Sequence, residues 1–489
     1  MGDGVSVKRF LVGLLLATTT TFPAAATTLQ EALAAAYRTN PTLTGARAGQ
    51  RAIDETLPIQ RARGLPTVGA TGGGSQDVLS DAGSGNTAAP TRQANAGVNL
   101  SVPVYNGGAV RNSVRAADLR ILAGQENLRD TESALFAQVT AAYMDVIRDE
   151  AILTLNRANV NVLQVNLQAT RDRFEVGDLT RTDVAQSESR LALARGQVRS
   201  AEAQLIASRE SYVRLVGLAP VSLQPPPPLP ALPATPQTAV QTALAENPAL
   251  QGAQRTRDAA RYDISVARAG RLPQVAVTAG GNYVNYLGSL NSNVPGVRFA
   301  QSNTGASVGV QLTLPLFQGG LPAAQVRQAQ ARESQAIEGV TEIERSIVAQ
   351  TRASYASYQA ATDVIATSQV AVDAATLSLE GVRAENTVGS RTILDLLNAQ
   401  QEVLNAQVNL VSARRNAYVA GFSLLAAMGR AEAEDLGIAE GERYDPTVNY
   451  RRVRNRIWDW GDDPRAAPVA TRTVDTPAQT PAVTAPVGN

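Results

Sequence analysis

The sequence predicts a mostly α-helical chain with a small β part, internally duplicated, whose long helices form a coiled-coil barrel. Three observations predict this. First, its 25 prolines are unevenly placed: none lies between Val104 and Ala219, and none between Ala323 and Asp445. Proline breaks helices, so each desert can hold an unbroken helical hairpin. Second, motifs recur. Asn40-Pro41 and Leu65-Pro66 return as Asn247-Pro248 and Leu272-Pro273 at an offset of 207, and Leu100–Gly108 returns as Leu312–Gly320 at an offset of 212. Val176-Gly177 with Asp183 returns as Val388-Gly389 with Asp395, and Gly217 as Gly429, at the same 212. Third, a period of two appears only in short stretches ahead of each desert.

The elements follow in order. Lys8 and Arg9, the apolar run Phe10–Ala17 and the site Ala24-Ala25-Ala26 read as an export signal over 1–26, so the mature chain starts near Thr27 and leaves the cytoplasm. The first repeat spans 27–218 and the second 238–430. Each opens with a short helix from its Asn-Pro pair, Thr42–Gly64 in the first repeat. Strands follow at Pro66 to about Gln76 and Pro273 to about Tyr283. After loops at Asp77–Ala94 and Val284–Asn303, apolar residues alternate at Val98, Leu100, Val102 and Val104, and at Val308, Val310, Leu312, Leu314 and Leu316. Such strands suit either a soluble sheet or a membrane barrel. Four strands are too few to close a membrane barrel, so in a membrane several protomers must share one.

A helix from about Ala109 to Phe174 would be about 100 Å long and stops at Val176-Gly177. A return helix runs from about Arg181 to Val216, with a heptad row Val184, Leu191, Val198 and Leu205. The second half carries two adjacent rows, Leu396, Val403, Leu410 and Leu397, Leu404, Val411, as a helix packing on two partners requires. The short and return helices together nearly match the long helix. They are expected to stack end to end beside it. Residues 219–237 read as a proline-rich connector, 431–463 as a segment around the waist of the helical barrel and 464–489 as a disordered tail.

Composition excludes most chemistry. With 44 Lys+Arg against 43 Asp+Glu there is no basic face for nucleic acid. With no Cys and no His there is no thiolate, imidazole base, Cys/His zinc site or disulfide. Gly72-Gly73-Gly74-Ser75 lacks the Lys-Ser/Thr of a phosphate loop. The expectation is a protein that is not an enzyme and holds no catalytic residue, metal or cofactor.

The chain resembles the TolC family of outer-membrane channels from about Leu29 to Gly429. The resemblance rests on the duplication, on Leu-x-x-Pro-x-Tyr/Phe-x-Gly-Gly at Leu100–Gly108 and Leu312–Gly320, and on the turns Val176–Val184 and Val388–Leu397. It implies a homotrimer with a shared 12-stranded barrel in the outer membrane and a 12-helix tunnel in the periplasm. It also implies export of small molecules or proteins, together with a periplasmic adaptor and an inner-membrane transporter of ABC or RND type. Tyr444–Tyr450 is similar to the C-terminal part of type I secretion channels, and the absent Cys argues against the lipoprotein branch. The resemblance further implies a periplasmic gate at Thr182, Asp183, Asn386 and Arg391, with an Asp183–Arg391 pair within or between protomers. Asn386 stands where the family has a tyrosine. Asp395 would line the narrowest ring, and Asn398 replaces the family's second ring aspartate. Val176, Gly177, Val388 and Gly389 would meet the adaptor. The competing reading is a structural or adhesive periplasmic coiled coil whose strands form a soluble cap.

Overall fold

A computed structural model describes residues 27–78, 90–291, 295–438 and 443–483. The export signal and the last residues of the tail lie outside them. The first repeat comprises α1 (Leu29–Thr39), α2 (Pro41–Asp54), α3 (Thr56–Ala62), β1 (Thr67–Gln76), β2 (Arg92–Tyr105), α4 (Ala109–Glu175) and α5 (Arg181–Val216). The second comprises α6 (Pro236–Glu246), α7 (Pro248–Ala269), β3 (Gln274–Asn285), β4 (Ser302–Thr313), α8 (Leu321–Thr387) and α9 (Ile393–Ala427); α10 (Thr447–Val453) follows.

The long helices α4 and α8 have 67 residues each. Both start at a glycine pair in the left-handed region, Gly107-Gly108 and Gly319-Gly320, which explains the Gly-Gly of the repeated motif: a side chain there would be strained. Each Asn-Pro pair has two functions. Asn40 Oδ1 accepts from Thr42 N at 2.9 Å and caps α2, while its Nδ2 donates to Leu215 O at 2.8 Å in the last turn of α5. Asn247 likewise caps α7, through Ala249 N at 3.0 Å, and donates to Ala427 O at 3.0 Å in α9. One side chain thus joins the end of each return helix to the start of a short one, and the expected end-to-end stacking is made. The Asn-Pro pairs do not begin the repeats, however. Helices α1 and α6 precede them and end on the same asparagines.

Helix α4 packs on α5, α2 and α3 of its own repeat and on α7 and α9 of the other. Helix α8 packs on α7, α9 and α6. Of 67 residues, α4 buries 21 and α8 only seven, so α8 keeps one flank open. The core lies where α1, α4, α5 and α9 meet the residues after α9, around Leu33, Phe136, Tyr143, Leu205, Tyr212, Phe422 and Met428. Burial of Leu191, Leu205, Leu396, Leu397, Leu404 and Leu410 matches the heptad rows.

The four strands form one antiparallel sheet in the order β1-β2-β3-β4, with the two repeats joined at β2–β3. Strand β2 begins at Arg92, inside the expected loop, and β4 stops at Thr313, so Leu314 and Leu316 lie beyond it. Register sorts the side chains because they alternate across a strand. Val68 pairs with Leu100, Leu100 with Ala279 and Ala279 with Val308. Val102, Val277 and Val310 follow on the same face. The opposite face carries Asn99, Ser101, Thr278, Ser307 and Gln311. The apolar face is open: Val68, Val308, Val310 and Leu312 are all exposed. Among the described residues no helix is long and apolar enough to cross a membrane.

The tail differs from expectation. Over 479–482 it is a strap on α4 and α5. The buried Arg209 guanidinium bonds Glu150 at 2.5 Å and donates to the carbonyls of Thr480 and Ala482. Arg157 reaches Pro481 O at 3.3 Å, and Gln479 N donates to Glu210 at 3.0 Å. Low hydropathy of the segment is offset by these bonds to its backbone. Residues 431–438 pack into the core, whereas Trp458 and Trp460 stand outward, 72% and 85% exposed.

Candidate functional site at the hairpin tips

Each hairpin ends in a glycine at positive φ, Gly177 at +85° and Gly389 at +80°, with Asp178 N donating to Arg173 O at 2.9 Å and Ser390 N to Glu385 O at 3.0 Å. These bonds satisfy the last carbonyls of α4 and α8 and leave Val176 and Val388 fully presented at the ends.

The return helices start on identical caps. Thr180 Oγ1 accepts from Asp183 N, and the Asp183 carboxylate accepts from Thr180 N at 2.9 Å and Thr180 Oγ1 at 2.7 Å. Thr392 and Asp395 repeat this at 3.1 and 2.8 Å. Donation by the threonine hydroxyl and amide holds both carboxyls below the ordinary aspartate value. Both acids therefore stay ionised at neutral pH. The Thr-x-x-Asp spacing in both repeats is a legible capping signal, so the aspartates expected at the gate and ring also cap the return helices.

Within one chain Asp183 and Arg391 do not pair. Arg391 Nε donates to Glu385 Oε2 at 2.7 Å across its own turn, and that pairing raises its already high pKa. The cation that acts on Asp183 is Arg173, which itself bonds Asp178 at 2.6 Å. Each tip is thus closed by its own ion pair, with the signs exchanged between repeats: position 173 is basic and its equivalent 385 acidic. Thr182 is exposed on the first turn of α5. Asn386 is buried and donates to Arg391 O at 2.8 Å, so it braces the second turn.

Two apolar residues of the heptad rows, with polar partners beside them, link the two hairpins. Ile393 and Leu397 of α9 bury against Leu163 and Leu167 of α4 and Leu191 of α5. Above them Asn166 Nδ2 donates to Gln400 Oε1 at 3.0 Å, and Arg190 Nη2 donates to Asn398 Oδ1 at 2.6 Å. Asn398, expected only to line a ring, is therefore also a link between the return helices. The heptad rows pointed to Leu191 and Leu397; nothing in the spacing pointed to Arg190. Among the described residues no group of acidic side chains is placed to hold a metal ion.

Comparison with known proteins agrees with this architecture. The family model described as outer membrane efflux protein matches residues 29–218 and again 239–430, the two repeats. The chain is 32% identical over 431 residues to the outer membrane efflux protein BepC of Brucella suis, covering 88% of this chain and 91% of that protein. It is 30% identical over 316 residues to the outer membrane protein TolC of Escherichia coli, covering 62% and 63%. The solved CmeC outer membrane channel of Campylobacter jejuni superposes with a TM-score of 0.72 over 93% of this chain and 98% of that one, at 15% identity, which shows the shared fold. A soluble adhesive coiled coil is not favoured by these matches or by the exposed apolar face of the sheet. The chain belongs to the outer membrane efflux protein family, a family of transport channels and not of enzymes, and is a TolC-like channel of the outer membrane with its tunnel in the periplasm.

Proposed function

We propose that three copies assemble into one duct that exports small molecules or proteins, working with a periplasmic adaptor and an inner-membrane transporter of ABC or RND type. Tyr444–Tyr450 and the absence of a lipid-anchoring Cys favour the type I secretion branch. The observation that carries the reading is the unclosed sheet: β1 and β4 are both edges, one face is apolar and the other polar, and exposed edges invite pairing with another copy. The open flank of α8 points the same way. Val176, Gly177, Val388 and Gly389 form the surface offered to the adaptor.

At the tip, the gate contact between Asp183 and Arg391 forms between neighbouring protomers, in competition with the Arg391–Glu385 pair of the same chain. Three Asp395 carboxylates ring the entrance and favour cations. Asp183→Ala and Arg391→Ala should each raise single-channel conductance in planar bilayers. Conductance equal to that of the unmodified channel in both variants would remove these residues from the gate.

A further inference from the structure

After α10 the chain makes a short loop closed on itself. Asp463 accepts from Arg452 through both Nη atoms at 2.7 Å and from Arg456 Nη1 at 3.2 Å, and Arg456 Nη2 donates to the Gly461 carbonyl. The clamp leaves Ile457, Trp458 and Trp460 on the outside of the loop, all more than two-thirds exposed. Burying none of three large apolar side chains on a braced loop is costly in water and calls for an apolar partner.

The position of the loop identifies that partner. Arg61 of α3 donates to Arg454 O at 3.2 Å and Asn455 Oδ1 at 2.7 Å, fixing the stem of the loop just ahead of β1. The resulting groove is lined by Leu65, Pro66, Thr67 and Val68 together with Arg456 and Trp458. Val68 begins the apolar face of the sheet, so the loop is continuous with the surface that meets lipid. Other aromatics lie at the same end of the sheet: Tyr105 ends β2, and Phe317 lies just past β4, both exposed. The foot of β1, Thr67 and Val68, has none. Aromatic side chains, Trp above all, settle at the headgroup level of membranes and gird β-barrels there.

We propose that Ile457, Trp458 and Trp460 anchor the channel in the periplasm-facing phospholipid leaflet, completing beneath β1 the aromatic band that Tyr105 and Phe317 begin. The anchor rests on the outer-membrane reading of the barrel. It would give a chain without a lipidated cysteine its own hold on the leaflet at the junction of barrel and tunnel.

The sequence has only two tryptophans, so emission of the full-length channel excited beyond the tyrosine absorption reports this loop alone. The channel would be reconstituted in phosphatidylethanolamine–phosphatidylglycerol vesicles, with lipid brominated near the headgroup end of the acyl chain as one quencher and aqueous iodide as the other. The expected result is blue-shifted emission that loses about half its intensity to the brominated lipid, as interfacial side chains should, with protection from iodide. Trp458→Phe and Trp460→Phe assign the signal to each residue. Quenching by iodide and not by lipid would put the loop in water and overturn the anchor. Blue-shifted emission resistant to both quenchers would mean that a neighbouring copy covers the loop, and would overturn it too. Conductance on the same preparation separates the two levels: a conducting channel silent to brominated lipid sinks the anchor alone, whereas failure to insert sinks the membrane reading beneath it.

Discussion

Arg190 and Leu397 hold the tips together by different physics, and this predicts unequal effects. The Arg190–Asn398 bond is solvent-exposed, where such links contribute about 0–1 kcal/mol. Leu397 is buried between the hairpins, and truncating such a leucine costs about 2–5 kcal/mol. Leu397→Ala should therefore raise single-channel conductance more than Arg190→Ala does. The reverse order, measured on the same bilayers, would mean that polar links alone keep the entrance narrow. The caps beneath are robust to acid. The folded carboxyls of Asp183 and Asp395 lie below their unfolded value, so their contribution is present above that value, near pH 4, and is lost only as pH falls through the lower, folded one. At this scale the sequence is half legible. Thr-x-x-Asp can be read as a cap, but no spacing reveals that Arg391 is occupied by Glu385, because the choice depends on how the turn at Gly389 folds back on α8.

Elements are more legible than residues because their determinants are local. The helix expected over Ala109–Phe174 is observed as Ala109–Glu175, and the return helix spans the expected Arg181–Val216, since glycine and proline stop signals act without tertiary help. Helices α1 and α6 are hidden because Asn40 and Asn247 read as helix starts, and one asparagine ends a helix while capping the next. The strap is hidden for a different reason: its Pro, Thr and Ala composition is that of a disordered segment, and what orders it is an arginine some 270 residues earlier. Arg209 is thus the test of the strap. Arg209→Ala should free residues 479–482, and trypsin cleavage after the neighbouring Arg472 should accelerate roughly tenfold, in line with about 1.5–3 kcal/mol for a hydrogen bond to a charged group. An unchanged cleavage rate, with sites elsewhere as controls, would show that the strap is held by other contacts.

For the whole molecule, the four-stranded sheet decides what the chain can be. Its apolar face suits lipid, its polar face suits water, and β1 and β4 are left as its edges. The face assignment can be tested at adjacent residues of β4. Val308 and Ser307 occupy the middle of the strand on opposite faces: Val308 pairs with Ala279, and Ser307 with Gly280. A positive charge on the lipid face costs about 2–4 kcal/mol at the membrane midplane. Every protomer of a symmetric assembly carries the substitution, so three copies would lose roughly 6–12 kcal/mol, comparable to the entire stability of a domain. On the lumen face the same side chain reaches water. Val308→Arg should accordingly abolish the heat-modifiable oligomer in outer-membrane fractions, while Ser307→Arg should retain it and reduce cation conductance. Loss of the oligomer from Ser307→Arg with survival of Val308→Arg would invert the two faces. Equal survival would mean that the sheet does not lie in the bilayer at all.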